Sequence, residues 1–191
     1  TRERVRQIER AGLVNLKQLD HFKAVIDIAE QRLKNLLQKY GGVMEQNHFL
    51  TAMLAYIQEI NKLEIIDLEV ERKHLIFFID KLLADIFIKY QETEKYKTII
   101  AQEKAKTQIL EKILAAAEEA LTAIGRPTHH QHLVKYLNSK TELTEYREYL
   151  THEILHAFLL ASKKIQQNPF LEWGFSHWPE IKPKRMADKV Y

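Results

Sequence analysis

An all-α fold is what this chain of 191 residues predicts: an elongated antiparallel bundle of about four long helices, closed by a non-helical, Pro-containing aromatic tail. Three observations predict it. The helix formers Leu, Ile, Lys, Glu, Gln and Ala dominate the composition. Gly numbers only 5 and Pro only 4, too few for a fold built on many turns. Apolar residues recur at spacings of three and four over most of the length, which is the period of one helix face. No segment reads convincingly as a strand, and no internal repeat is evident.

The first helical block runs from Thr1 to about Tyr40. Its stripe is Phe22, Val25, Ile26, Ala29, Leu33, Leu36, Leu37 and Tyr40. A bend is expected between Gly12 and Asp20, where Asp20 can accept a first-turn N–H. Gly41-Gly42 ends the block, because glycine enters the left-handed region without a Cβ clash. From His48 to Ile124 there is neither Gly nor Pro. A hairpin of two long helices is expected there, broken near Tyr90 to Glu94 with Thr93 as N-cap. In the first arm, Leu63, Ile66, Val70 and Phe77 lie opposite the main stripe. An arm apolar on both sides between Ile60 and Ile79 is sandwiched, by its own chain or by a partner. The second arm, from about Lys95, stops at Gly125-Arg126-Pro127.

Ser139 with Glu142 fits a capping box opening a last helix of roughly Glu142 to Gln167. Asn168-Pro169 ends it. Two domains follow from this reading: a bundle over 1–167 and a tail over 168–191. The tail holds both Trp residues and three of the four Pro, with Phe170, Trp173, Phe175 and Trp178 close together and Ile181-Lys182-Pro183-Lys184-Arg185 after them.

Composition sets outer limits on function. With 46% hydrophobic and 29% charged residues the chain reads as soluble and globular. The absence of Cys excludes disulfide frameworks, thiolate zinc sites and Cys nucleophiles, and it fits a reducing, cytoplasmic setting. Net charge is +3, from 29 basic and 26 acidic residues interleaved as in Glu94-Lys95 and Glu103-Lys104. That is a solvated helix face rather than a basic stripe, so nucleic acid is not expected as a partner. No apolar run approaches a membrane span. The Lys-, Gln- and Ile-rich composition points to a bacterial protein. The chain starts at Thr1 rather than Met, as a fragment or a processed chain would.

One short string carries chemistry: His152-Glu153-Ile154-Leu155-His156. Two His at i and i+4 share a helix face and can bind one zinc ion, and the Glu can polarise a zinc-bound water. The string resembles the zincin metallopeptidase signature over these five residues. That resemblance implies zinc as cofactor, His152 and His156 as ligands and Glu153 as the catalytic base. The extended signature stops short here: Leu159 stands where its Gly would be and Ser162 where its third His would be. Glu172, His177 or Glu180 would have to supply the third ligand. Two Glu-x-x-His pairs, Glu71/His74 and Glu153/His156, also resemble the ligand pairs of di-iron bundles, with Glu30 and Glu118 or Glu119 as bridging carboxylates. His129, His130 and His132 form a histidine-rich loop, read as surface.

Projected on a wheel centred on Leu150, Ile154, Ala157 and Ala161, His152 points about 180° from the core stripe and His156 about 140°. Leu155 and Leu159 share that outer side, a second packing surface. The expected function is therefore contact with protein partners, without a cofactor: an adaptor, scaffold or accessory subunit, more a binding module than an enzyme. Its expected partner-binding residues are Phe170, Trp173, Phe175, Trp178, Leu155 and Leu159, because large aromatic side chains bury much area with few rotamers.

Overall fold

A computed structural model describes residues 1–61 and 67–182. The chain is mostly helical. Its α-helices are α1 (Arg2–Gln18), α2 (Asp20–Lys39), α3 (Gln46–Asn61), α4 (Leu68–Phe77), α5 (Lys104–Ile124), α6 (His130–Asn138) and α7 (His152–Ala161). A π turn (Phe78–Leu82) extends α4, and a 3-10 helix (Thr141–Tyr149) precedes α7. The expected breaks fall at Leu19, at Gly41-Gly42 and at Gly125, with Gly41 and Gly125 both left-handed. Asp20 is the first residue of α2 rather than its cap; Leu19 holds the cap position in an extended conformation.

Strands are present, contrary to the sequence reading. β1 (Val43–Glu45), β2 (Ile88–Tyr90) and β3 (Ile99–Ala101) form one antiparallel sheet; β4 (Thr128–His129), β5 (Ile165–Gln167) and β6 (Glu172–Phe175) form another. The span from His48 to Ile124 is therefore not a two-helix hairpin. Thr93 does mark its break, but as a turn residue: Oγ1 accepts from the N–H of Lys95 and of Tyr96 in the β2–β3 loop. The last helix is likewise divided. Leu143, Tyr146 and Tyr149 recur every third residue, the 3-10 period. Ser139 Oγ donates to the Tyr136 carbonyl instead of building a capping box. Thr151 caps α7, its Oγ1 accepting from Ile154 N–H.

The chain repeats itself, which residue identities concealed. In the first unit α2 leads to β1, α3, α4 and the β2–β3 hairpin. In the second, α5 leads to β4, α6, α7 and the β5–β6 hairpin. In both sheets the last strand is central, in the orders β1-β3-β2 and β4-β6-β5. One constant offset relates the two from α2 and α5 as far as α4 and α7, while the hairpins match in topology only. It matches the buried pairs Leu33 and Ala117, Leu37 and Leu121, Phe49 and Leu133, and Met53 and Leu137. It also matches Gly41 with Gly125 and His48 with His132.

The two units share the first sheet. Met44 and Ile100 face the core of the first unit with Leu33, Leu37 and Phe49. Val43, Ile99 and Ala101, one residue away, face the core of the second with Leu110, Leu155 and Phe158. Alternate side chains of a strand point to opposite faces, so β1 and β3 serve both cores. α7 packs on β1. It comes so close that a Cβ on Gly41 would stand 2.7 Å from Ile154 Cγ2 and 2.9 Å from Phe158 Cζ. The β2–β3 loop grips the end of α7: Lys97 N–H donates to the Ala161 carbonyl and Lys163 N–H to the Lys95 carbonyl, both at 3.0 Å.

Residues 168–182 belong to this architecture rather than to a separate tail. β6 is the central strand of the second sheet, Trp173 is 1% exposed in the second core, and Trp178 and Ile181 lie over Gly174. Leu155 and Leu159, expected on an outer row, are fully buried. α7 is covered on two sides, so it has no outer apolar row to offer. The arm between Ile60 and Ile79 is described only in part, with Leu63 and Ile66 outside the described residues. Its second row is nonetheless visible in Val70 and Phe77, both exposed.

Candidate functional site

Histidines gather where the two units meet. Three helices begin there, and each brings an imidazole in its first turns or close after: His48 on α3, His130 on α6, and His152 and His156 on α7. Glu45 holds the start of α3, its carboxylate accepting from the N–H of Asn47 and of His48. His156 is central. Its ring centroid lies 6.0 Å from His48, 5.8 Å from His130 and 5.5 Å from the Trp173 ring. His130 and His152 are 4.3 Å apart. Tyr40 closes the side nearest His48 at 5.4 Å.

Burial favours the neutral form of His48, His130 and His156. Burial, then the neighbouring His152, push the pKa of His130 down from 6.5 to about 4; Glu153 acts weakly the other way. Burial lowers His156, with His48 and His152 adding to the effect, and burial lowers His48 against the pull of Glu45. Helix N-termini carry partial positive charge, which disfavours imidazolium further. His130 Nε2 lies 3.0 Å from the His152 carbonyl, so Nε2 carries the proton and Nδ1 the lone pair. His130 Nδ1, His48 Nδ1 and Trp173 Nε1 are buried and find no hydrogen-bond partner among the described residues.

Acid should therefore loosen the junction. A His whose folded pKa lies below its unfolded value leaves stability intact above about 6.5, and stability falls as pH drops from there toward the folded value. For His130 alone the loss by pH 4 is roughly 3 kcal/mol. Urea unfolding at pH 7, 5.5 and 4.5 should show a progressive loss, reduced in His130→Gln; a pH-independent midpoint would contradict it.

The sequence-predicted site residues divide sharply. His152 and His156 both lie beside His130, and His156 also beside His48, rather than beside an acidic third ligand. Glu172 faces His129 at 3.8 Å, His177 stacks on Phe175, and the Glu180 carbonyl accepts from Asn168. Glu153 is exposed in the first turn of α7, where a carboxylate suits the helix dipole. Of the di-iron set, Glu71 pairs with His74, Glu30 with Lys34 and Glu118 with Lys164, each in a different place. Among the described residues no three His, Asp or Glu side chains converge on a position for a metal ion. Of the expected partner-binding residues, Leu155, Leu159 and Trp173 are core, Phe175 and Trp178 pack partly against it, and Phe170 is exposed.

His48 is the member that sequence reasoning missed. His130 was grouped with its loop neighbours, although it is buried while His129 and His132 are exposed. The signal was the spacing shared by His48 and His132 after Gly41 and Gly125. A cavity of about 430 Å³ opens beside the cluster, lined by its His130, His152 and His156 and by His129, His132 and Leu171. Beside it stands the β5–β6 turn, with Phe170 and Leu171 exposed at its tip and Leu171 at φ 63°. Asn168 fixes that turn, its Oδ1 accepting from the N–H of Phe170 and of Glu172. The site thus offers buried imidazoles beside an apolar rim. Comparison with protein-family models, with curated proteins and with solved structures finds no match for this chain.

Proposed function

We propose that this chain is a non-enzymatic protein-interaction module, an adaptor or accessory subunit that works by presenting a helix face. The observation that carries this is the contrast between two equivalent helices. α7, the third helix of the second unit, is buried on one side by its own core and on the other by the first unit. α4, the third helix of the first unit, has no buried residue, and Leu68, Val70 and Phe77 along it are 56%, 41% and 50% exposed. A helix with large apolar residues left in water is a surface for contact. α1 supports the reading, with no buried residue and with Val5 and Ile8 exposed.

Each unit has the arrangement of a winged helix-turn-helix, whose recognition helix enters the DNA major groove in nucleic-acid-binding proteins. That use is disfavoured here. α7 is covered, and α4 offers Leu68, Val70 and Phe77 among charges of both signs instead of a row of Arg and Lys.

A photo-cross-linking amino acid placed at Val70 tests the reading. Adducts of discrete mass should form there and not at Lys104, an exposed position at the start of α5. Equal, diffuse labelling at both positions would count against a contact face.

A further inference from the structure

We infer that the protein associates with a second copy of itself head to tail, α4 of one chain docking on the second unit of the next as α7 docks on the first unit within the chain. The inference rests on the reading of α4 as a contact face and names what that face meets.

Its basis is that the chain holds one filled docking site and a second copy of it that is covered at Gly174 by Trp178 and Ile181 but exposed at Gly125, His132 and the β5–β6 turn. On the first unit, α7 is received by three features: the left-handed glycine Gly41, the strand and helix start from Val43 to His48, and the loop of the β2–β3 hairpin. The repeat places the same three features on the second unit. Gly125 takes the place of Gly41, and a Cβ there would meet nothing within 4 Å. His132 takes the place of His48, which stacks on His156; His132 itself is exposed, as is His129 on β4. The shorter β5–β6 turn stands where the gripping loop stands in the topology, and its tip residues Phe170 and Leu171 are 69% and 66% exposed.

The ligand for such a site is also duplicated. What fills the first site is the third helix of a unit, and the chain carries one further third helix, α4, with its apolar residues in water. Donor and acceptor surfaces lie on different units. The contact is therefore heterologous, joining unlike faces, and each added copy leaves one of each face free unless a ring closes. Apolar side chains at half exposure give such a contact its driving force.

Two exposed substitutions test this without touching either core. Phe77→Asp spoils α4 and leaves the acceptor surface; His132→Asp does the reverse. By sedimentation equilibrium between ~1 and ~100 μM, the native chain should rise above the monomer mass with concentration. Each variant alone should stay monomeric. An equimolar mixture of the two should form a 1:1 complex and grow no further, since one intact face of each kind is present. A native chain monomeric throughout, a variant that associates like the native chain, or a mixture that fails to pair would overturn the inference. If the native chain is monomeric while Val70 still cross-links to a different protein, self-association fails and the contact reading stands. If no discrete adduct forms either, both fail.

Discussion

Replacing Trp173 by Ala is expected to cost about 3–5 kcal/mol of stability, the range for removing a large buried aromatic side chain. The size of the effect follows from three placements. Trp173 is 1% exposed and is the largest fully buried side chain. It stands on β6, the central strand of the second sheet, paired to Thr128 through β4 and to Gln167 through β5. Its ring also closes the histidine cluster, 5.5 Å from His156 and 6.3 Å from His130. Domains of ordinary size are stable by roughly 5–15 kcal/mol, so this one change should bring the second unit close to unfolding. Urea denaturation followed by circular dichroism should show the midpoint fall steeply. A loss below about 1 kcal/mol would place Trp173 outside the core. Phe170→Ala, at an exposed position two residues before the same strand, should leave the midpoint nearly unchanged.

The parts of this fold that depend on local chemistry could be read from the chain. Gly41-Gly42 and Gly125 end helices because their backbones are left-handed, and the break before Asp20 and the turn at Thr93 lie where polar or capping residues allow them. The strands could not be read. At two to four residues they are too short for alternation to register, and Val43, Met44 and Glu45 are all buried, so no polar face marks them. The last helix was overextended because the spacing of Leu143, Tyr146 and Tyr149 suits a 3-10 turn nearly as well as an α-helix. The wheel that set Leu155 and Leu159 outside failed for a different reason. A helix packed on two sides has no outer face to locate. The His-Glu-x-x-His string reads on its wheel as an outward row, whereas in the fold both of its histidines lie beside His130 and His156 also lies beside His48. Its companions, His48 and His130, come from another unit and another helix, and only the tertiary fold brings them in.

α7 packs against the first unit at Gly41, whereas the matching Gly125 of the second unit is uncovered, and two matched glycine substitutions test this difference. Both Gly41 and Gly125 are left-handed, at φ 85° and 70°, so Ala at either position carries a backbone cost of about 1–2 kcal/mol. At Gly125 that should be the whole effect, because a Cβ meets nothing within 4 Å. At Gly41 the new Cβ also meets Ile154 and Phe158 of α7 at 2.7 and 2.9 Å, adding about 1–3 kcal/mol of overpacking. The direct measurement is the difference in unfolding free energy between Gly41→Ala and Gly125→Ala, in urea at pH 7 and at a concentration where the chain is monomeric. Gly41→Ala should be the less stable by at least about 1 kcal/mol. Equal losses at the two positions would contradict it.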